Sequence, residues 1–155
     1  MSGNGCNTLD GKTSREYTSK MNYKSAAVES IRVMLVDDHD EVRQALKNLL
    51  SVTRDIVVIG EASGGQEGLI KAAELEPDII IMDERMPGLN GLEASRILNE
   101  SELSCKIIML TSYEDFESKA FEYGVKAYLL KGVKLKVLTD CIRRVHQGET
   151  VPVHN

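Results

Sequence analysis

From residue 31 onward the hydrophobic and polar positions follow one repeating rhythm. Short apolar runs alternate with amphipathic segments. The runs are IRVMLV at 31–36, DIVVIGEA at 55–62, PDIIIMD at 77–83, CKIIML at 105–110 and KAYLL at 126–130. They are rich in Val and Ile and continuous rather than alternating, which is the pattern of strands buried on both faces. The segments between them are helical. In 41–50, Val42, Ala45, Leu46, Leu49 and Leu50 recur at three- and four-residue steps, and Asp40 stands before them as a candidate N-cap. Leu69, Ile70, Ala72 and Ala73 mark a second helix over 66–75, stopped by Pro77. Leu92, Ala94, Ile97 and Leu98 mark a third over 91–98. A fourth runs near 115–123 and ends at Gly124. A fifth covers 135–146, with Leu135, Leu138, Cys141, Ile142 and Val145 on one face and Gly148 after it. Five such strand–helix units over 31–148 predict an α/β fold: a parallel sheet with helices on both faces.

The ends of the chain read differently. Residues 1–30 are rich in Ser, Asn, Gly, Thr and Lys, with few large aliphatics. Such a segment buries too little apolar surface to offset its ordering entropy and is expected to be a flexible N-terminal extension. Its Gly11-Lys12-Thr13 hints at a phosphate loop. However, five residues rather than four separate Gly5 from Gly11, and no strand precedes them, so the template is not met. Residues 149–155 read as a C-terminal tail or linker stub.

Composition narrows the class. With 42% hydrophobic and 28% charged residues, a wholly disordered chain, a collagen and a coiled coil are all excluded. The apolar runs fall far short of the roughly 20 residues a membrane-spanning helix needs. The net charge of −5 leaves no electrostatic footprint for nucleic acid, so direct binding of nucleic acid by this chain is not expected. Cys6, Cys105 and Cys141 are odd in number, far apart and without a CxxC pair. They suit a reducing compartment better than a disulfide framework or a zinc site. No apolar signal segment opens the chain, and a cytoplasmic location is expected.

Ligands of an open parallel sheet bind at the carboxyl ends of its strands. After the first predicted strand stand Asp37-Asp38-His39-Asp40, and after the third Asp83-Glu84-Arg85-Met86-Pro87-Gly88. Thr111-Ser112 follow the fourth and Lys131-Gly132 the fifth. The second contributes Glu61 at most. Asp37, Asp38 and Asp83 brought to one edge repel one another unless a cation neutralises them, and hard oxygen ligands with room for water suit Mg²⁺. A carboxylate beside Mg²⁺ can act as a nucleophile toward phosphorus and become an aspartyl phosphate. In this arrangement Asp83 accepts the phosphoryl group and Mg²⁺ sits on Asp38 and Asp83, with Asp37 holding its waters. Lys131 pairs with one phosphoryl oxygen as a point charge, and Thr111 donates a hydrogen bond to another.

Four segments carry a family resemblance: VDDHDEVR at 36–43, IIIMDERMPGLNGLEA at 79–94, MLTSYED at 109–115 and KAYLLKG at 126–132. In their order and spacing the chain resembles a receiver domain of two-component response regulators over 31–148. The DDH start, the ERMPG turn and AYLLKG look most like the NarL/FixJ-type subgroup. The resemblance implies a flavodoxin-like, CheY-like five-stranded sheet of order 2-1-3-4-5 with five helices. It makes Asp83 the phosphoacceptor, and it adds the backbone carbonyl of Arg85 to Asp38 and Asp83 as metal ligands. Thr111 and Lys131 become the switch hydroxyl and lysine, and Tyr128 the switch aromatic that turns inward. Arg85 and Tyr113 stand where the family tunes the lifetime of the phosphate. The implied partners are a sensor histidine kinase and, on phosphorylation, a second copy of the chain. The subgroup's helix-turn-helix output domain needs several tens of residues, more than follow His146, so the chain is expected to be either an excised receiver or a stand-alone one. Gly132 stands where many receivers carry a cis proline. A cis Lys131–Gly132 bond would cost about 3 kcal/mol without proline, and its geometry is left open by the sequence.

A different class also has a foothold. Asp38-His39-Asp40-Glu41-Val42 fits the D-x-D-x-[TV] start of haloacid-dehalogenase-type phosphatases, with Asp38 as nucleophile. That class needs an acidic pair on a later strand, and after Lys131 only Asp140 and Glu149 remain. It also leaves Asp83 to Gly88 without a role. The late basic residues Lys131, Lys134, Lys136, Arg143 and Arg144 read as a solvated helix face rather than as a partner or linker surface.

Overall fold

The computed structural model describes residues 29–152. The extension predicted for 1–30 lies almost wholly outside the described residues. From Ile31 onward five strands alternate with five helices. They are β1 (Ile31–Val36), α1 (Asp40–Leu50), β2 (Ile56–Ala62), α2 (Gly65–Leu75), β3 (Ile79–Met82), α3 (Gly91–Glu100), β4 (Lys106–Thr111), α4 (Glu117–Glu122), β5 (Ala127–Leu130) and α5 (Leu135–His146). The sheet is wholly parallel, in the order β2-β1-β3-β4-β5. Each strand therefore needs a long crossover, and the helices that supply it cover both faces.

The pleat divides the core in two. On one face Val33, Leu35, Ile79, Ile81, Ile108, Leu110, Ala127 and Leu129 pack with Leu46 and Leu50 of α1 and with Leu138, Ile142 and Val145 of α5. The alternate residues Met34, Val36, Ile80, Met82, Ile107, Met109 and Tyr128 face the other way, onto α2, α3 and α4. Because both faces are covered, the central strands β1, β3 and β4 are buried almost throughout.

The helices depart from the sequence pattern in detail. Asp40 is the first residue of α1 rather than its N-cap; His39 takes that position, without a side-chain cap. Asp40 and Glu41 still favour that end through the helix dipole, as Lys47 favours the other. In α2 the predicted face is rotated, and Ile70 and Ala73 are exposed. The buried face runs through Gly65, Gly68 and Ala72. A Cβ on Gly68 would lie 3.2 Å from both methyls of Val36, so small residues set this close approach of helix to sheet. In α3 Asn90 is a true N-cap and accepts the Glu93 N–H at 2.9 Å, while Ile97 of the predicted face is half-exposed. Helix α4 has only six residues, shorter than predicted, because Asp115 and Phe116 remain in the preceding turn.

After α5 the chain turns back. Val151 is buried, pairs in parallel with Ala127 and donates its N–H to the Lys126 carbonyl at 2.7 Å. This pairing covers part of the free edge of β5. None of the described helices is long and apolar enough to cross a membrane.

Candidate functional site: an acidic pocket at the carboxyl edge of the sheet

Three strand ends build the pocket. β1 and β3 are neighbours, so Asp37 and Asp83 each leave the sheet one residue past paired positions. The Asp83 N–H donates to the Val36 carbonyl at 2.9 Å, which sets the two ends side by side. β4 separates β3 from β5 and ends in Thr111, paired with Leu130. The Lys131 N–H donates to the Thr111 carbonyl at 2.7 Å, bringing the lysine to the same edge. The loop after β3 closes on itself through the Gly91 N–H, which donates to the Glu84 carbonyl at 2.8 Å. A Cβ at Gly91 would overlap the Asp83 carbonyl, so only glycine lets α3 start this near the site.

Asp37 and Asp83 are almost fully buried. Lys131 Nζ bridges them, 2.9 Å from Asp37 Oδ2 and 3.2 Å from Asp83 Oδ2. The other oxygen of Asp37 accepts the His39 N–H at 2.9 Å, and His39 Nδ1 lies 3.1 Å from it. The same nitrogen is 3.1 Å from Asp38 Oδ1. Despite that approach Asp38 Oδ1 is buried with no hydrogen-bond partner. Burial pushes the Asp83 carboxyl above the ordinary carboxylate range; Lys131 opposes this and the Asp37 charge adds to it. Burial alone would lower Lys131, but Asp37 and Asp83 outweigh it and hold the ammonium above its usual value.

One ligand atom from each of Asp37, Asp38, His39 and Asp83 can be chosen so that all lie within 4.8 Å of one another. A dense set of carboxylate oxygens bridged by the half-buried Lys131 ammonium, with one buried oxygen left unsatisfied, suits a small divalent ion. The residues present therefore fit the metal that the sequence implies.

Not every strand-end acid joins the pocket. Glu61 turns toward α1, where Arg43 holds it at 3.0 Å and Lys47 at 2.5 Å; these bonds keep its carboxyl below the usual range. Asp40 points to solvent and pairs with Arg43. A D-x-D phosphatase start needs this carboxylate beside Asp38 in the pocket, and it is elsewhere. Thr111 is fully buried and accepts the Tyr113 N–H on Oγ1 at 3.4 Å. The Lys131–Gly132 peptide is trans, and Gly132 adopts φ +95°, where the lack of a Cβ removes the steric cost. At the rim the Arg85 guanidinium lies 3.5 Å from the centroid of the Tyr113 ring, a cation–π contact.

Two participants escape sequence reasoning. His39 joins the cluster through a ring nitrogen. Glu84 is buried and accepts a hydrogen bond from the Tyr128 phenol at 2.8 Å. Burial raises the Glu84 carboxyl, and burial with the Glu84 contact raises Tyr128 well above an ordinary phenol. Glu84 belongs to no periodic pattern and its partner lies 44 residues away, so no sequence signal marks it.

A five-stranded parallel sheet thus gathers acids from the ends of β1 and β3, a hydroxyl from β4 and a lysine from β5 at one edge. The response regulator receiver domain model matches residues 33–143, and the chain belongs to that family. It is 40% identical over 123 residues to the transcriptional regulatory protein LnrK of Bacillus subtilis, covering 78% of this chain and 56% of that protein. It is 40% identical over 124 residues to the response regulator protein VraR of Staphylococcus aureus, covering 79% and 59%. The chain thus spans little more than half the length of these relatives. The crystal structure of a LuxR-family two-component response regulator from an Aurantimonas species superposes with a TM-score of 0.75. That match is at 31% identity, over 79% of this chain and 89% of that one. The protein is accordingly a receiver domain of two-component signalling.

Proposed function

We propose that Asp83 is the phosphoacceptor of this receiver and that its phosphorylation switches an output, transcription in the case of a longer regulator. The observation that carries this is the convergence of Asp37, Asp38 and Asp83 with Lys131 Nζ on one edge of the sheet. An Asp83 carboxylate oxygen attacks the phosphorus of a phosphohistidine on a sensor kinase. The new P–O bond forms as the P–N bond breaks; the bond's electron pair goes to the released ring nitrogen, and the proton already on the other ring nitrogen makes the leaving group neutral imidazole. Water later cleaves the acyl phosphate, returning the carboxylate and inorganic phosphate.

Asp38, Asp83 and the Arg85 backbone carbonyl would hold Mg²⁺, with Asp37 acting through water. Bound there, the ion supplies charge neutralisation for the transferring phosphoryl oxygens. Lys131 exchanges its contact with Asp83 for one with a phosphoryl oxygen. Thr111 donates its hydroxyl to another, and Tyr128 reports that movement. Arg85 and Tyr113, stacked at the rim, control the access of water and so the lifetime of the phosphate. The module is a switch that assists its own modification rather than a turnover enzyme.

The name of LnrK, a transcriptional regulatory protein, supports a transcriptional output. A sensor histidine kinase is the donor and a phosphorylation-dependent homodimer the assembled form, in the cytoplasm. Residues 31–148 form the receiver, with 1–30 an extension and 149–155 a tail. The test is incubation with Mg²⁺ and acetyl phosphate, followed by reductive labelling and mass spectrometry. Label on Asp83, absent from Asp83→Asn, is expected; label on Asp38 with turnover of phosphomonoesters would overturn the proposal.

A further inference from the structure

Glu84 follows Asp83 directly, yet its side chain turns away from the acidic pocket and into the protein. Its carboxylate accepts the Tyr128 phenol at 2.8 Å, and both residues are buried, Tyr128 completely. The two residues belong to different parts of the sheet. Glu84 extends from the end of β3 and Tyr128 lies in β5, with β4 between them. The bond therefore passes over the end of β4.

The phenol also stands 2.6 Å from the Tyr113 carbonyl, in the loop between β4 and α4. One phenol proton serves two acceptors, so a ring leaving this place would lose both contacts at once. The neighbouring residue grips the same loop from outside, since Arg85 stacks on the Tyr113 ring. Residues 84 and 85 thus hold the β4–α4 loop by two routes, one buried and one at the surface. Both routes consist of the chain's own atoms and do not wait on phosphorylation.

We infer that Glu84 is a positioning residue for the phosphoacceptor site: it holds Tyr128 in its buried place and ties the segment beside Asp83 to β5 and to the β4–α4 loop. This rests on the reading of Asp83 as phosphoacceptor. It adds a link between Asp83 and Tyr128 that does not pass through Thr111. The link requires an acceptor at position 84 and does not require the negative charge as such.

The test incorporates 3-fluorotyrosine and follows the Tyr128 fluorine signal, assigned by its loss in Tyr128→Phe. In Glu84→Leu and Glu84→Ala, checked for folding by circular dichroism, the signal moves toward those of exposed tyrosines. Labelling of Asp83 by acetyl phosphate slows about tenfold in both, the usual worth of one buried hydrogen bond. Glu84→Gln keeps an acceptor and restores both the signal and a rate within about twofold of wild type. Packing alone would not distinguish Gln from Leu in this way. Should neither apolar variant fold, the nearly isosteric Tyr128→Phe decides: amides of residues 112–116 exchange faster than in wild type and in Glu84→Gln. An unmoved signal in a folded Leu or Ala variant, a Gln variant that moves as far, or equal labelling rates overturns the inference. Absence of label from wild-type Asp83 would sink the phosphoacceptor reading instead, and the fluorine signal and amide exchange would still decide the role of Glu84.

Discussion

The two faces of the sheet are built from different materials. Against α1 and α5 the sheet presents branched aliphatics: Val33, Leu35, Ile79, Ile81, Ile108, Leu110 and Leu129. Against α2, α3 and α4 it presents Met34, Met82, Met109 and Tyr128 interleaved with Val36, Ile80 and Ile107, with Met86 from the loop and small alanines on the facing helices. The first face is clamped by helices of 11 and 12 residues, while the second includes the six-residue α4. The second also holds buried polar groups, Glu84 and Ser95, whose hydroxyl donates to the Gly91 carbonyl at 2.7 Å. Branched side chains have few rotamers and fix a unique packing, whereas methionine is flexible and adapts. The lesson is a division of labour: one face anchors the sheet, and the other carries the parts joined to the acidic pocket.

The sharpest way to break this contrast is at Gly91, where the adaptable face has no slack. Gly91→Ala drives a methyl into the Asp83 carbonyl, and we expect a loss of about 3 kcal/mol or more in urea unfolding. A loss under about 1 kcal/mol would show that the loop after β3 yields as readily as the methionines around it.

Adjacent residues of β4 compare the faces directly, since Ile108 and Met109 are both fully buried and point in opposite directions. Ile108→Ala should cost about 3–4 kcal/mol. Met109→Leu should cost about 1 kcal/mol or less, because its neighbours can shift to accept the new shape. An Ile108→Ala cost no greater than that of Met109→Leu would erase the distinction.

A third prediction concerns the pocket. Burial and the Asp37 charge hold the Asp83 carboxyl above the ordinary range. Such a group favours folding most below its unfolded value, near pH 4, and loses that contribution as pH rises through its folded value. In a chelator at neutral pH, Asp83→Asn should therefore melt above wild type, with the gain shrinking as pH falls toward 4. A variant melting below wild type at neutral pH would show that the Lys131 contact outweighs burial.

The smallest effect belongs to the anchoring side. Asp55, beside β2, is held below the ordinary range chiefly by hydrogen bonds from Arg143 of α5, at 2.7 and 3.0 Å. Its contribution is present above about pH 4 and disappears as pH falls through the lowered value. Both partners are well exposed to solvent, so Asp55→Asn should cost less than about 1 kcal/mol at pH 7. It should cost nothing near pH 2, and a penalty that persisted there would assign the effect to something other than charge.

Much of this was legible in the sequence because continuous Val/Ile runs have one economical home, a parallel sheet covered on both sides. The site residues followed because each stands immediately after such a run, and parallel strands bring those ends to one edge. Thus the convergence of Asp37, Asp38, Asp83 and Lys131 on one edge was readable from position and chemistry together. The misses have physical causes as well. Ile70 and Ala73 looked like the inner face of α2, but Gly65 and Gly68 allow so close an approach that the helix turns its small side inward. His39 and Glu84 were missed because a lone polar residue beside a motif carries no period. Glu84 depends on Tyr128, 44 residues away in sequence, and His39 on the local turn that brings its ring beside Asp37 and Asp38. Likewise, nothing in the order of residues 149–152 indicates that Val151 pairs with Ala127.

That last pairing has a consequence for colloidal behaviour. The outermost strand of an open sheet offers a row of free amides and carbonyls to any extended peptide, and so invites fibril-like stacking. Here residue 151 already uses the Lys126 carbonyl at the start of that row. A foreign strand attempting to join would first have to displace it, so the molecule carries its own guard against unwanted self-association.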